Sequence, residues 1–317
     1  MTETENLFSE ELQAYLNDAG TEIIPGAALS HFTTFRIGGP CPALVNCHDA
    51  KSFLLSWEVL IKSGHQPLLI GGGSNLLVSD AGISNVVVRY VEDDLVLVRE
   101  DGLFRVSAGV MLDDLARITA ESGLDGLVSC SGIPGTVGGA IAGNAGAFGE
   151  QIGDRVAYLE VLDRSGHFQI RKPNELGFAY RASNIPASGD VVVSALLQLD
   201  EAPPSPLLTR RAEILELRKI KHPDWGTIPT AGSFFKNIEP TSKAERRQAA
   251  GWFLEQSGAL NMRVGGARTF EKHANIIIAE PGCRADDVAA LSRKMADAVL
   301  QKFGIALERE VKMIGDF

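Results

Sequence analysis

At 317 residues, with 45% hydrophobic and 22% charged side chains, the chain has the composition of a soluble globular protein with room for two or three domains. A net charge of −10 argues against a general nucleic-acid binder, and no apolar run approaches the length of a membrane span. Cys41, Cys47, Cys130 and Cys283 make no C-x-x-C, and the six histidines never stand at H-E-x-x-H spacing, so no metal is expected.

Residues 1–6 are acidic and read as neither a secretory signal nor a transit peptide; scattered cysteines suit a reducing cytoplasm. Periodicity over 6–19 predicts an amphipathic helix with Leu7, Leu12 and Leu16 inward and Gly20 as its stop. Residues 31–40 (HFTTFRIGGP) are turn-forming, with Arg36 near two glycines, and read equally as a strand entry or a ligand-facing loop. A strand at 43–46, a helix capped by Asp49 and running to 61, and a strand at 67–70 compose a βαβ unit. That unit delivers Gly71-Gly72-Gly73-Ser74-Asn75, a turn rich in N–H donors and suited to a diphosphate. Short β runs follow at 86–90, 95–99 and 104–108, then a helix at 111–122.

The densest feature is 130–149, CSGIPGTVGGAIAGNAGAFG, with seven glycines from Gly132 to Gly149. Glycine admits φ > 0 and close backbone approach, which suits a pocket wall for a flat or phosphorylated ligand; tight packing of loops is the plain alternative. Two glycine runs in one chain suggest a dinucleotide. The chain lacks G-x-G-x-x-G, G-x-x-x-x-G-K-[ST] and G-x-S-x-G, so a Rossmann, P-loop or α/β-hydrolase site is unsupported.

Strands are expected again at 156–162, 167–171 and 191–199, the last nearly all apolar and so buried, making 90–200 an α+β block. Residues 201–206 (EAPPSP) read as a linker, followed by helices at 206–220, 241–257 and 284–303. The basic run from Arg218 to His222 is either a solvated helix end or a holder of ligand phosphate. The chain closes on a strand at 305–314 carrying Glu308, Glu310 and Lys312 on one face. Three islands carry candidate chemistry: Arg181 beside Tyr180, Ser233 with Lys236 three residues on, and Glu310 in LEREV. Taken singly they could be an ion pair, a helix cap and a sheet-edge charge.

GGGSNLL, SGIPGTVGGAIAGNAGAFG, AYRAS, K-x-PD with AGSFFKN, and LEREV stand in the order seen in the UDP-N-acetylenolpyruvoylglucosamine reductases, which this chain resembles from about 33 to 315. The resemblance implies an α+β, vanillyl-alcohol-oxidase-type two-part FAD-binding fold with a smaller α+β substrate domain. Its parts would be 1–90, 91–200 and 207–304, the strand 305–317 returning near the site. FAD would bind non-covalently, its diphosphate on Gly71, Gly72, Gly73, Ser74 and Asn75. The loop of Ser131, Gly132, Ile133, Gly135, Thr136, Gly138 and Gly139 would share that role, with Gly143 and Asn144 near the flavin. Ser233 would be the proton donor, and Arg181 and Glu310 would engage the enolpyruvyl carboxylate. Tyr180, Lys221, Lys236, Asn237 and His273 would meet the UDP-sugar.

The implied reaction carries a hydride from NADPH, by way of the flavin, to C3 of the enolpyruvyl ether, and Ser233 protonates C2. An Arg fork would stabilise the charge that builds on the carboxylate by roughly 1.5–3 kcal/mol per hydrogen bond. Glu310 would help only in its protonated form, and Lys236 or a water would support Ser233. NADPH rather than NADH is inherited from the family. The expected setting is cytoplasmic, with a small-molecule substrate, no nucleic acid, no membrane, and a monomer or weak oligomer.

The chain departs from the family pattern in places. No Tyr follows Tyr180, as in the shorter type of these reductases. Ile238 replaces the common Pro after Asn237, and Ala279-Glu280 stands where Val-Asn is usual. The rival readings are an alcohol or sugar oxidase of the same superfold and a non-catalytic nucleotide-sugar-binding protein.

Overall fold

The computed structural model describes residues 8–92, 94–239 and 247–317. The chain forms two compact units, one comprising Met1–Ala27, Cys41–Gly72 and Ser84–Glu216, the other Ala28–Pro40, Gly73–Ile83 and Leu217–Phe317.

The first unit opens with the helix Glu10–Asp18, capped by Ser9 Oγ accepting from the Leu12 N–H at 3.1 Å, with Leu12 and Leu16 buried. Leu7, also expected inward, lies outside the described residues. A strand that periodicity missed, Glu22–Pro25, runs antiparallel to Ala43–Cys47 at the edge of a four-stranded sheet. Helix Ala50–Lys62 starts where the Asp49 carboxylate accepts the Ser52 N–H at 2.8 Å and buries Phe53, Trp57 and Leu60. It crosses over to Leu68–Ile70, as a βαβ unit should, but Val87–Tyr90 is inserted between the two strands and runs parallel to both. Tyr90 stacks on Phe53 with ring centroids 4.3 Å apart and planes within 3°. Such a pair adds about 0.5–1.5 kcal/mol to the area it buries.

The second sheet of this unit is antiparallel, in the order Phe168–Arg171, Val156–Leu162, Val191–Leu197, Leu103–Ser107, Val98–Glu100. Val191–Leu197 is central and buried along its whole length, which is why it carries no alternation. The strand expected at 95–99 begins only at Val98; Leu95 and Leu97 instead pack on the core from a loop. One hydrophobic cluster serves both sheets, joining Phe53 and Val88 to Val106, Leu115 and Leu159.

The linker expected over 201–206 is a correction. Asp200–Glu201 pairs with Leu124–Asp125, and a helix already begins at Pro204 and runs to Lys221. Prolines at 204 and 206 fit there because first-turn N–H groups have no helical partner to lose.

The second unit is built on a four-stranded antiparallel sheet, Thr230–Ser233, His273–Ala279, Ala267–Phe270, Arg263–Val264. Helices Ala250–Gln256 and Ala285–Phe303 supply Leu254, Leu291, Met295 and Val299 to a core shared with Phe234 and Ile277. The helix expected at 241–257 is present only as Ala250–Gln256; 241–246 lie outside the described residues, and Gln248 forms a β-bridge with Ile238. The closing strand expected at 305–314 is likewise corrected to Lys312–Ile314, parallel to Leu76–Val78. The segment changes partner along its length: Arg309 forms an antiparallel bridge with Phe235, and Val311 is buried.

Candidate active site

The two glycine runs meet within the first unit. A Cβ on Gly71 would stand 2.3 Å from Thr136 Oγ1, and one on Gly72 would stand 3.0 Å from the Gly135 Cα. Gly71 is thus closed against the Thr136 side chain, while Gly72 lets the main chain approach that of Gly135, and the two glycine runs lie against one another. Gly135 has φ +110°, and Thr136 Oγ1 accepts the Gly139 N–H at 3.3 Å to start the short helix Val137–Ala142. The last three residues of the expected diphosphate loop, 137–139, are thus helix. Many of its amides are engaged within the protein: Gly132 N–H with Asp113, Ile133 with Cys130 O, Gly138 with Ala108 O and Gly143 with Gly139 O. The cradle of Gly71, Gly72 and Gly135 fits a diphosphate approached by bare main chain, as an FAD-binding chain requires.

Asn144 lies at φ +45° and is buried. Its Nδ2 donates to Ala179 O at 2.8 Å and its Oδ1 accepts the Gly153 N–H at 3.0 Å. Ala179 and Ala182 exchange backbone hydrogen bonds of 3.0 and 3.1 Å, leaving Tyr180 and Arg181 as the tip of a tight turn. Arg181 there has φ +53°, and its guanidinium lies 5.5 Å from the Tyr180 ring centroid. Ser183 Oγ donates to Ala142 O at 2.8 Å. The glycine stretch and the Tyr180–Arg181 turn are therefore tied together at two points.

The second unit gathers Ser233, Lys236, Glu310 and Asn75. Thr230 opposes Ile278 and Ser233 opposes Ile276, so one extra residue is accommodated between them. Gly232, at φ +72°, makes this bulge possible and redirects Ser233, which is in a strand and not a helix cap. Directly afterwards, the Glu310 N–H donates to Phe234 O at 2.8 Å and the Lys236 N–H to Glu308 O at 2.9 Å, setting Ser233 and Glu310 on adjacent chains. Lys236 Nζ pairs with Glu308 at 2.5 Å. Asn237 Oδ1 accepts the Ala250 N–H at 3.1 Å, at the start of helix Ala250–Gln256.

The glycine run GGGSN is divided between the units, with Gly73, Ser74 and Asn75 in the second. Gly73 O and Ser74 O accept from the N–H and Oγ1 of Thr34, at 3.2 and 3.4 Å, and Thr34 Oγ1 also donates to Thr230 O at 2.6 Å. Asn75 O accepts the Lys312 N–H at 3.0 Å while its Nδ2 donates to Glu310 O at 3.1 Å.

Asn275 is a residue that sequence reading passed over. Buried in the strand after His273, it donates from Nδ2 to Phe235 O at 2.8 Å and accepts the Phe235 N–H at 2.9 Å. An Asn inside the apolar run Ala274–Ala279 was the available signal. His273 Nδ1 accepts the Asn275 N–H at 3.2 Å, and its ring lies 5.7 Å from that of His222. Burial, then His273, Arg218 and Lys221, push the His222 pKa down to about 4, and burial lowers that of His273 also. Lys221 is exposed in the last turn of Pro204–Lys221.

Residues 41–170 match the profile of the FAD binding domain family. With the paired glycine cradle, this makes the chain a flavoprotein of the two-part FAD-binding α+β class. Residues 222–314 match the C-terminal domain of UDP-N-acetylenolpyruvoylglucosamine reductase. The chain is 35% identical across its whole length to the UDP-N-acetylenolpyruvoylglucosamine reductase of Nostoc sp., covering 93% of that protein. Identity to the Solibacter usitatus enzyme of the same name is 36%, over 90% of this chain and 95% of the other. The crystal structure of UDP-N-acetylenolpyruvylglucosamine reductase (MurB) from Thermus caldophilus matches with a TM-score of 0.75 and 32% identity, over 93% of this chain and 99% of that one. The chain belongs to the UDP-N-acetylenolpyruvoylglucosamine reductase family, whose members are oxidoreductases. No helix among the described residues is long and apolar enough to cross a membrane.

Proposed function

We propose that this chain reduces the enolpyruvyl ether of UDP-N-acetylenolpyruvoylglucosamine to UDP-N-acetylmuramate, a peptidoglycan precursor, with NADPH as reductant. Residues 1–90 and 91–200 form the two halves of the flavin site, and 207–304 is the substrate domain. The observation carrying the reading is the pairing of Phe234 with Glu310, which sets Ser233 beside Glu310 in a family member that also has the glycine cradle. When bound, FAD supplies the hydride carrier that amino-acid side chains lack.

The chain's own groups do the rest. Ser233 delivers a proton to C2 of the substrate, aimed by the Gly232 bulge. Arg181 and a protonated Glu310 hold the carboxylate on which negative charge develops, by charge-assisted hydrogen bonds. Tyr180, Lys221, Lys236, Asn237 and His273 contact the nucleotide sugar. Lys236, whose ammonium also pairs with Glu308, or a water supports Ser233.

The test is Ser233→Ala. Flavin bleaching by NADPH should persist while reoxidation by the UDP-sugar slows about 10²–10⁴-fold. Equal loss in both half-reactions would defeat the assignment.

A further inference from the structure

Helix Pro204–Lys221 falls between the two family matches, at 41–170 and 222–314, so neither assigns it a role. Its apolar side, Leu207 and Ile214, packs on Ala120 and Val128. Two adjacent arginines on it reach the two ends of the glycine stretch. Arg211, only 8% exposed, donates from Nη1 to Asp113 Oδ1 at 2.6 Å, and the same oxygen accepts the Gly132 N–H at 2.7 Å. Arg210 Nη2 donates to Glu150 at 2.8 Å, one residue past Gly149.

A carboxylate one hydrogen bond behind a loop that receives a diphosphate is an electrostatic liability. It holds the Gly132 peptide at φ +72°, but its charge repels the anion the loop is built for. Arg211 removes the conflict by neutralising Asp113 without releasing Gly132. Burial alone would raise the Asp113 pKa, yet Arg211 and the Gly132 N–H carry it below its ordinary value, so the pair stays charged.

We propose that Asp113 and Arg211 are a positioning pair for the cofactor loop: Asp113 fixes the Gly132 amide, and Arg211 cancels the carboxylate's repulsion of the FAD diphosphate. This rests on the flavin site proposed above.

The experiment measures FAD release from the full-length holoprotein on dilution, by the rise in flavin fluorescence, at low and high salt. Arg211→Met should release FAD roughly 10–100-fold faster at low salt. The excess should shrink at 1 M salt, where the screening length falls to about 3 Å. Adding Asp113→Asn should restore slow release, because the amide oxygen still accepts the Gly132 N–H without the charge. Arg210→Met removes a cation from the same helix but leaves the Gly132 contact, and should have little effect. A purely structural helix anchor predicts the reverse: Arg210→Met and Arg211→Met act alike, independently of salt, with no rescue by Asp113→Asn. That result overturns the proposal, as does unchanged release in Arg211→Met. A wild-type chain that holds no FAD would instead sink the flavin reading itself.

Discussion

Asn75 holds the main chain of Glu310 by its side chain, Nδ2 donating to the Glu310 carbonyl at 3.1 Å, while its own carbonyl accepts the N–H of Lys312, two residues on, at 3.0 Å. Sequence reading gives Asn75 to the cofactor, whereas its side chain holds the backbone of a proposed substrate-binding acid. Asn75→Ala should slow flavin reoxidation by the UDP-sugar about 3–10-fold, the worth of one neutral hydrogen bond. The NADPH half-reaction should not move. Stopped-flow absorbance separates the two steps, and equal slowing of both would return Asn75 to a cofactor role alone.

Gly232 stands at φ +72° with nothing within 4 Å of a built Cβ, so a substitution meets conformational strain and no clash. Gly232→Ala should cost about 1–2 kcal/mol and Gly232→Asn less, since Asn tolerates the left-handed region. If the bulge aims Ser233, Gly232→Val should lower kcat by more than its loss of stability explains. Denaturant melts and steady-state rates on the same samples decide it.

Asn275 satisfies both polar groups of the Phe235 peptide in a buried setting. Asn275→Leu leaves two backbone groups without those partners, each worth about 1–3 kcal/mol, and should destabilise the chain by roughly 2–5 kcal/mol. Urea unfolding followed by tryptophan fluorescence measures this, and a change under 1 kcal/mol would mean that the strand repacks around the gap.

His222, with its folded-state pKa pushed down to about 4 by burial and by neighbouring His273, Arg218 and Lys221, contributes an acid-side instability. Between pH 6.5 and 4 the unfolded chain binds the proton and the folded chain does not, so stability rises with pH across that window and levels off above it. His222→Gln should flatten the slope of melting temperature against pH between those limits. A slope identical to wild type would show that other groups carry the acid sensitivity.

The glycine runs were legible because glycine density leaves an unmistakable mark in the sequence, and the islands proposed to carry the chemistry because their neighbours are distinctive. What each amide does was not. The Gly132 N–H goes to Asp113, nineteen positions back, and the same oxygen accepts from Arg211, ninety-eight positions beyond Asp113. The end of the chain was misread for the same reason: alternation over 305–314 suggests one strand, but its partner changes from Phe235 to Leu76–Val78 midway. Gly232 could be read as a turn former. Its use as a bulge follows only from the register of the facing strand.

The backbone passes between the units five times, after Ala27, Pro40, Gly72, Ile83 and Glu216. No single cut in the gene can therefore release either unit whole. A fragment starting at Leu217 would carry Lys312–Ile314 without Leu76–Val78 and Thr230 without Thr34. Such interleaving discourages the exchange of parts by recombination: grafting a foreign second unit onto this first unit would require all five crossings to be matched at once, so specificity in this lineage is expected to change by point substitution and not by module swapping.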